Sequence, residues 1–451
     1  MAAPAPAPPR PRANPMLGSA LDLRRSQIET YERAMREHGD VVRLVVGPPG
    51  LRFGLYCFFH PDGVRQVLAG PRQAYSKGNR FYREIAATFG WGLLTSEGDM
   101  WERQRRLVQP LFTRKTIATY SELMAEEAIA IAERWEGRRT VDANAETVRL
   151  SLRIVGRTIF GDDVEQAGAV LDWAFPLLNR YTFRRAMSPV ATPSSWPTPE
   201  NRRAASAREA LYGVVDELVD RRKRSGADGD DLLSRLLNAR DPETGGAMDA
   251  QEVRDQALIF LLAGHETTST ALAFTFHLLG RYGDEQERVR SEVDAVLGGR
   301  PPGIDDFPAL ERTGMAIKEA MRLYPPAYAT GRLLHMDDEI GGYPIPAGAF
   351  VAVSQWATHR HPRFWPDPER FDPTRFTRER EAERHTYAYF PFGRGPRACI
   401  GSHFAMVESV IAVAAVLQRH RITSEPGEVA LDTNGITLRP AGAVPIRLTP
   451  R

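Results

Sequence analysis

The chain contains few cysteines and no long apolar run. Only Cys57 and Cys399 occur in 451 residues, which argues against a disulfide framework and fits a reducing cytoplasm. A membrane-spanning helix needs about 18 or more consecutive apolar residues, and the sequence has no such run. The formal net charge is only +2, so the composition does not require a nucleic-acid partner. We therefore expect a cytoplasmic protein without a membrane anchor.

Repeats and phosphate-binding motifs are also missing. No Gly-rich phosphate loop follows a strand, and no solenoid-type repeat is found. The beginning of the chain is proline-rich, and residues 1–20 are expected to form a disordered or extended lead-in. The length alone would suggest about three domains, but the motifs described below only make sense around a single site. We expect one catalytic domain over residues 21–451.

The second cysteine lies in a loop that cannot continue a helix. Residues 390–401 read Phe-Pro-Phe-Gly-Arg-Gly-Pro-Arg-Ala-Cys-Ile-Gly, and an apolar run long enough for a buried helix follows. The Cys399 sulfur should therefore lie at a helix N-terminus, where the dipole and free N–H groups favour the thiolate. A thiolate is one way in which a protein holds haem iron. The alternative is a small buried hydrophobic side chain, which is what most free cysteines are.

Five fixed positions around this cysteine favour the first interpretation. Phe392, Gly395, Arg397, Cys399 and Gly401 match the pattern Phe-x-x-Gly-x-Arg-x-Cys-x-Gly, which resembles the haem-thiolate loop of the cytochrome P450 family. The resemblance extends along nearly the whole chain. It implies a mainly α fold with small β-sheets, in which haem b lies between a long central helix and the helix after the cysteine.

Further residues are expected to contact the haem. Trp101 and Arg105 are four residues apart and share a helical face, which resembles the Trp-x-x-x-Arg helix that grips a haem propionate in the family. Arg397 can pair with a propionate as a bidentate donor. The expected metal ligand is Cys399, and the expected haem contacts are Arg397, Trp101, Arg105, Arg332, Phe392, Gly393, Gly401, Ala263 and Gly264.

A long helical pattern from Asp249 to Gly280 predicts the central helix. It is apolar nearly all round and should be buried, yet it contains Ala-Gly-His-Glu-Thr-Thr at residues 263–268. Thr267 can bond back to a carbonyl one turn earlier and loosen the helix, which would form a groove for dioxygen and water. Glu266 and Thr267 match the acid–alcohol pair of the family and are the predicted catalytic residues for proton delivery. The alternative is a purely structural kink.

A second motif predicts a structural clamp. Glu319 and Arg322 are three apart on one helical face, and the following Leu-Tyr-Pro-Pro completes a resemblance to the Glu-x-x-Arg helix of the family. Arg370, in Pro-Glu-Arg-Phe, is the expected third partner. Removing one member would strand a buried charge, at a cost of about 3–5 kcal/mol.

The substrate pocket is the least constrained part of the prediction. In the family, the region from Gly78 to Gly98 roofs the substrate, and two helices at residues 164–181 and 204–223 move over the pocket. The aromatic side chains of the roof suggest an apolar or ring-bearing substrate, although core packing explains them equally well. The expected substrate contacts are Phe81, Phe89, Trp91, Ala263, Ala327, Tyr328, Ala329 and Ile436.

The resemblance implies a haem-thiolate monooxygenase that acts on a small organic molecule of secondary metabolism. Hydroxylation, epoxidation and oxidative coupling would use the same residues. No nicotinamide or flavin motif is found, so a ferredoxin and its NAD(P)H-dependent reductase are the expected electron donors for dioxygen, and a monomer is expected. The alternatives are a peroxide-driven peroxygenase, which Glu266 and Thr267 disfavour, and a non-catalytic haem sensor or carrier.

Overall fold

The computed structural model describes residues 6–161, 165–188, 192–226 and 229–450. Residues 1–5 of the expected lead-in, and Val164 of the expected helix 164–181, lie outside this part. The helices are α1 (Ala20–Arg25), α2 (Gln27–His38), α3 (Pro61–Ala69), α4 (Arg80–Phe89), α5 (Gly98–Val108), α6 (Arg114–Arg134), α7 (Ala143–Phe160), α8 (Glu165–Met187), α9 (Pro199–Arg224), α10 (Leu232–Asn238), α11 (Ala250–Arg281), α12 (Gly283–Leu297), α13 (Glu311–Leu323), α14 (Gln355–Thr358), α15 (Arg378–Glu383) and α16 (Ser402–Arg419).

Twelve strands in the described residues form small sheets beside the helices. The largest has the order β1-β2-β8-β5-β3, and the others are β4-β12-β9, β10-β11 and β6-β7. The strands are β1 (Val41–Val46), β2 (Phe53–Phe58), β3 (Tyr75–Ser76), β4 (Thr140–Asp142), β5 (Thr330–Leu334), β6 (Asp338–Ile340), β7 (Tyr343–Ile345), β8 (Phe350–Val353), β9 (His420–Ser424), β10 (Leu431–Asp432), β11 (Arg439–Pro440) and β12 (Pro445–Pro450). A mainly α fold with small sheets is therefore confirmed.

The central helix α11 begins where the sequence predicts. Asp249 and Glu252 form a reciprocal capping box at its N-terminus, which satisfies two backbone donors that would otherwise lack partners. The helix packs most extensively against α7, and also against α13 and β9. It is the one helix of the described residues that is long and apolar enough to cross a membrane, but 78% of its most apolar stretch is buried inside the protein.

The described part of the lead-in is extended. The carbonyl of Pro9 accepts a hydrogen bond from the Arg43 N–H at 2.9 Å, and Gly18 forms a β-bridge with Val46. The Leu17 carbonyl accepts from the Gly47 N–H at 3.2 Å. These residues therefore follow strand β1 up to the beginning of α1.

The clamp around Glu319 forms, but with a different third partner. The fully buried Arg322 donates to Glu319 at 2.7 and 2.9 Å, and Arg375 Nε lies 3.3 Å from Glu319 Oε1. The prediction of Arg370 is wrong: its side chain is exposed, and only its carbonyl accepts from Arg322, at 3.2 Å. Two similar motifs, Pro-Glu-Arg-Phe and Pro-Thr-Arg-Phe, stand in tandem here, and burial selects the second.

The clamp reaches the cysteine loop through His359. Arg322 donates to the His359 carbonyl at 2.9 Å, and the His359 ring accepts from the Phe390 N–H at 3.0 Å. Burial, together with the charges of Arg322 and Arg360, holds the pKa of His359 well below its usual range. The ring therefore stays neutral and can serve as an acceptor for the loop.

We expect Arg375→Ala to lower the free energy of unfolding by about 3 kcal/mol or more, because it leaves part of the buried Glu319 charge without a partner. Arg370→Ala is the matched control, because it keeps the carbonyl that Arg322 uses, and its effect should stay within about 0.5 kcal/mol. Chemical denaturation of both variants measures the difference. Equal losses of stability would contradict the assignment of Arg375 as the third partner.

Candidate active site

A cavity of about 360 Å³ lies between α11 and the cysteine loop, residues 390–401. Its walls also come from α4, α5, α7 and the segment before β5. The structure brings together many of the predicted site residues around this cavity: Phe81, Trp101, Arg105, Ala263, Gly264, Thr267, Ala327, Ala329, Arg332, Phe392, Gly393, Arg397, Cys399, Gly401 and Ile436.

Backbone geometry points the Cys399 sulfur into the cavity. The Cys399 N–H donates to the Phe392 carbonyl at 2.8 Å, and the Gly393 N–H donates to the Phe390 carbonyl at 2.9 Å. Gly395 has a φ of +74°, and a Cβ there would lie 2.3 Å from the Leu68 carbonyl oxygen. Only glycine can occupy this position without moving the loop. Cys399 thus lines the cavity, and its side chain is exposed rather than packed in the core.

The surroundings of Cys399 oppose the thiolate more than the sequence suggests. Burial raises the pKa of the Cys399 thiol, although the Gly401 N–H and the charges of Arg105 and Lys77 act in the opposite direction. Gly401 is the N-cap of α16, so the predicted position at a helix N-terminus is correct. Burial thus acts against the effect of the helix terminus, and a cation bound in the cavity would favour the thiolate.

The predicted back-bond of Thr267 is present, while α11 stays a continuous helix through this stretch. The Thr267 Oγ1 donates to the Ala263 carbonyl at 2.5 Å, and both residues line the cavity. A Cβ on Gly264 would lie 2.9 Å from a methyl carbon of Val155, so this glycine also allows α7 to approach α11 closely. His265 packs edge-on against Phe175 of α8 at 5.1 Å, so it faces a neighbouring helix.

Glu266 lies beside the cavity and not in its wall. Its carboxylate is nearly buried and accepts from Asn179 Nδ2 at 2.7 Å and from Arg439 Nη1 at 3.4 Å. Arg439 is also paired with Asp432 at 2.8 Å. The acid is therefore held one helix face away from Thr267, within a polar network that includes β10 and β11.

Three cations meet at one edge of the cavity. Arg332 and Lys77 are buried, and Arg397 donates to the Ser96 carbonyl and to Glu97, both at 2.9 Å. Burial and the charges of Arg332 and Arg397 hold the pKa of Lys77 well below its usual range, and burial lowers the pKa of Arg397 to about 10.

Positive side chains outnumber negative ones at this edge of the cavity. The edge therefore fits a ligand that carries carboxylates. The Arg397 guanidinium also stacks on the Trp101 ring at 4.0 Å, so Trp101 and Arg397 form one surface. Together with the Cys399 sulfur open to the same cavity, the donor set fits a haem with its two propionates. Lys77 is absent from the sequence prediction, because one lysine between a short strand and a helix carries no local signal.

Three of the expected substrate contacts lie elsewhere. Residues 80–89 form a helix and not an irregular loop, and Phe89 is turned away from the cavity into the core, 5.4 Å from Phe175. Trp91 is 46% exposed at the surface. Tyr328 points away from its neighbours Ala327 and Ala329 because side chains alternate along an extended chain, and its hydroxyl donates to the Gly435 carbonyl at 3.3 Å.

The sequence also misses one wall of the cavity. Val155, Thr158 and Ile159 of α7 line it, together with Ile259 and Phe260 of α11. Helical periodicity identifies these residues as buried, but it does not distinguish a core face from a cavity face. No signal in the sequence would have found them.

Comparisons with known proteins agree with this geometry. The family model of cytochrome P450 matches residues 8–444. Cyclooctat-9-en-7-ol 5-monooxygenase from Streptomyces melanosporofaciens is 39% identical over 420 residues, covering 92% of this chain and 90% of that protein. Pentalenene oxygenase from Streptomyces avermitilis is 36% identical over 417 residues, covering 92% and 91%. The crystal structure of the cytochrome P450DA haem domain has a TM-score of 0.86 at 28% identity, covering 99% of this chain and 98% of that one.

We expect Lys77→Met to weaken haem binding by about tenfold, the effect of losing one hydrogen bond to a charged group. The apoprotein should be at least as stable as the parent, because a desolvated charge is removed. Haem transfer to an acceptor protein and thermal unfolding of the apoprotein measure the two effects. Lys115→Met, at an exposed lysine, is the control, and equal haem loss from both variants would contradict the role of Lys77.

Proposed function

The chain belongs to the cytochrome P450 family and is a monooxygenase, and on this premise we propose that its substrate is an apolar, cyclic compound of the terpene type. The observation that carries the proposal is the apolar part of the cavity wall. It is built mainly from hydrocarbon side chains: Phe81, Ile85, Leu94, Val155, Ile159, Ile259, Phe260, Ala263 and Ile436. Such a wall favours a ligand without charges, since a charged group would lose its hydration there. The named substrates of the two Streptomyces relatives support the same class.

We propose haem b as the cofactor, and Cys399 is the residue that would hold its iron. Bound haem supplies the activation of dioxygen, and a thiolate ligand favours cleavage of the O–O bond. Arg397, Trp101, Arg332 and Lys77 would hold the propionates at the edge of the cavity. Arg105 would contribute from the cysteine side, where its guanidinium lies 3.5 Å from the Ala398 carbonyl.

Thr267 and Glu266 are the proposed proton-delivery residues. The Thr267 hydroxyl faces the cavity and can exchange its bond to the Ala263 carbonyl for a water at the reacting centre. Glu266 can pass protons from the adjacent face of the helix, because its carboxylate belongs to the polar network of Asn179, Arg439 and Asp432. The two residues therefore have separate roles, since the alcohol holds a water in the cavity and the acid connects to the exterior.

A ferredoxin with its NAD(P)H-dependent reductase is the proposed electron source. Arg114 and Lys115, at the start of α6, are exposed. Burial and the charge of Arg114 lower the pKa of His403, four residues after Cys399, so Arg114 lies near the cysteine loop. Positive charge on the side of the cysteine loop favours an acidic carrier and raises its association rate. We further propose that residues 21–451 act as one catalytic unit preceded by the segment 1–20, and that the protein works as a cytoplasmic monomer.

Thr267→Val should separate dioxygen use from product formation. Without the hydroxyl, the group that would hydrogen-bond this water is lost. Product per NAD(P)H should therefore fall by about tenfold while the release of hydrogen peroxide rises. The matched control is Thr275→Val, because Thr275 makes the same back-bond to the Ala271 carbonyl, at 2.7 Å, in a fully buried position. Equal coupling in both variants would remove Thr267 from the proposed role.

The proposed function is tested by binding and turnover of cyclic terpenes. A sesquiterpene hydrocarbon and a cyclic diterpene alcohol should shift the iron spin state, whereas a disaccharide of similar size should not. With ferredoxin, reductase and NAD(P)H, the compound that binds should be oxygenated with dioxygen consumption.

Two outcomes would contradict the proposal. A spin-state shift with the disaccharide and with neither terpene would exclude the substrate class. Efficient turnover with hydrogen peroxide alone, and none with the reductase chain, would identify a peroxygenase.

A further inference from the structure

One buried amide contacts two parts of the site that are distant in sequence. Asn179 of α8 is 1% exposed. Its Nδ2 donates to Glu266 Oε2 at 2.7 Å, and its Oδ1 accepts from the Ile436 N–H at 2.8 Å. The partners fix the orientation of the amide, because a carboxylate can only accept and a backbone N–H can only donate.

The second partner belongs to the turn between β10 and β11, residues 433–438. Ile436 and Thr437 of this turn line the cavity. The turn fits tightly around the amide, since a Cβ on Gly435 would lie 2.8 Å from Asn179 Oδ1. Any shift of the Asn179 side chain would therefore displace the part of the wall that Ile436 supplies.

The first partner is charged and nearly buried, so it depends on its donors. Glu266 is also paired with Arg439 at 3.4 Å, and Arg439 is shared with Asp432 at 2.8 Å. The bond from Asn179 is the shorter of the two contacts. A neutral amide can donate to the carboxylate without cancelling its charge, which leaves Glu266 able to take up and release a proton.

We propose that Asn179 is a positioning residue that sets both proton delivery and the orientation of the substrate. Through Nδ2 it holds the Glu266 carboxylate, and through Oδ1 it holds the turn that carries Ile436. The part of this inference that concerns proton delivery rests on the proposed role of Glu266. The part that concerns the turn and the cavity wall does not. Loss of the amide should therefore change both the coupling of the reaction and the site at which the substrate is oxidised.

Two substitutions separate these effects. Asn179→Leu keeps the number and branching of the side-chain heavy atoms and removes both hydrogen bonds. Asn179→Asp keeps an acceptor for the Ile436 N–H but places a second carboxyl group against Glu266. As the pH rises and this second carboxyl group ionises, like-charge repulsion should grow. The matched control is Asn201→Leu, because Asn201 is also a buried amide of the same helical pair, bonded to Tyr181 and to the Trp196 carbonyl at 2.9 and 2.8 Å.

The variants are compared as haem-loaded proteins by hydrogen exchange of residues 433–438, by product per NAD(P)H and by the ratio of product isomers. Asn179→Leu should speed exchange of the Ile436 amide, alter the isomer ratio and reduce coupling by about tenfold, the effect of one hydrogen bond to a charged group. Asn179→Asp should keep the exchange rate and the isomer ratio of the parent, but lose coupling increasingly at higher pH. Asn201→Leu should match the parent in all three measurements.

The proposal is overturned if Asn179→Leu and Asn201→Leu behave alike, or if Asn179→Asp retains parental coupling at every pH. Should Asn179→Leu not fold, Asn179→Asp decides by itself, since it preserves the side-chain volume and the bond to the turn. Glu266→Gln distinguishes failure of the proposal for Asn179 from failure of the proposed role of Glu266. Unchanged coupling in Glu266→Gln would remove the acid role, while exchange and isomer ratio in Asn179→Leu would still test the effect on the turn.

Discussion

The position of the Cys399 sulfur depends on how its loop is held. Gly395 lies against the Leu68 carbonyl in a conformation that a side chain would prevent, and the Phe390 N–H is bound by the neutral ring of His359. His359 is fixed in turn by Arg322, which is paired with the fully buried Glu319. A buried ion pair on α13 thus helps to fix the position of Cys399, the proposed haem ligand, on a loop that is distant in sequence.

Burial acts against charge at both ends of the cavity. It raises the pKa of the Cys399 thiol at the floor and lowers the pKa of Lys77 at the edge. A haem would supply the missing counter-charges to both, a metal cation to the sulfur and carboxylates to the cations. Bound haem would therefore offset the cost of burying these groups, so that haem binding should stabilise the fold.

Local patterns predicted the motifs that act within one element. The beginning of α11 at Asp249, the back-bond of Thr267 and the shared face of Trp101 and Arg105 depend on neighbours within one or two turns, so spacing alone reveals them. Predictions failed where a contact depends on which face an element turns inward. Phe89 and Trp91 are close to the same helix end, but Phe89 lies in the core and Trp91 at the surface. Arg370 and Arg375 occupy equivalent motifs, and only Arg375 is buried.

The sequence by itself determined the family, the position of Cys399 just before a helix N-terminus and the back-bonded alcohol on the central helix, because each belongs to a short motif with fixed spacing. Only the tertiary structure decided that Lys77 completes the cationic edge, that α7 supplies part of the cavity wall, and that Asn179 joins Glu266 to the turn at Ile436. These contacts connect residues far apart in the chain. Their distances are set by the packing of whole helices, which no local pattern of residues specifies.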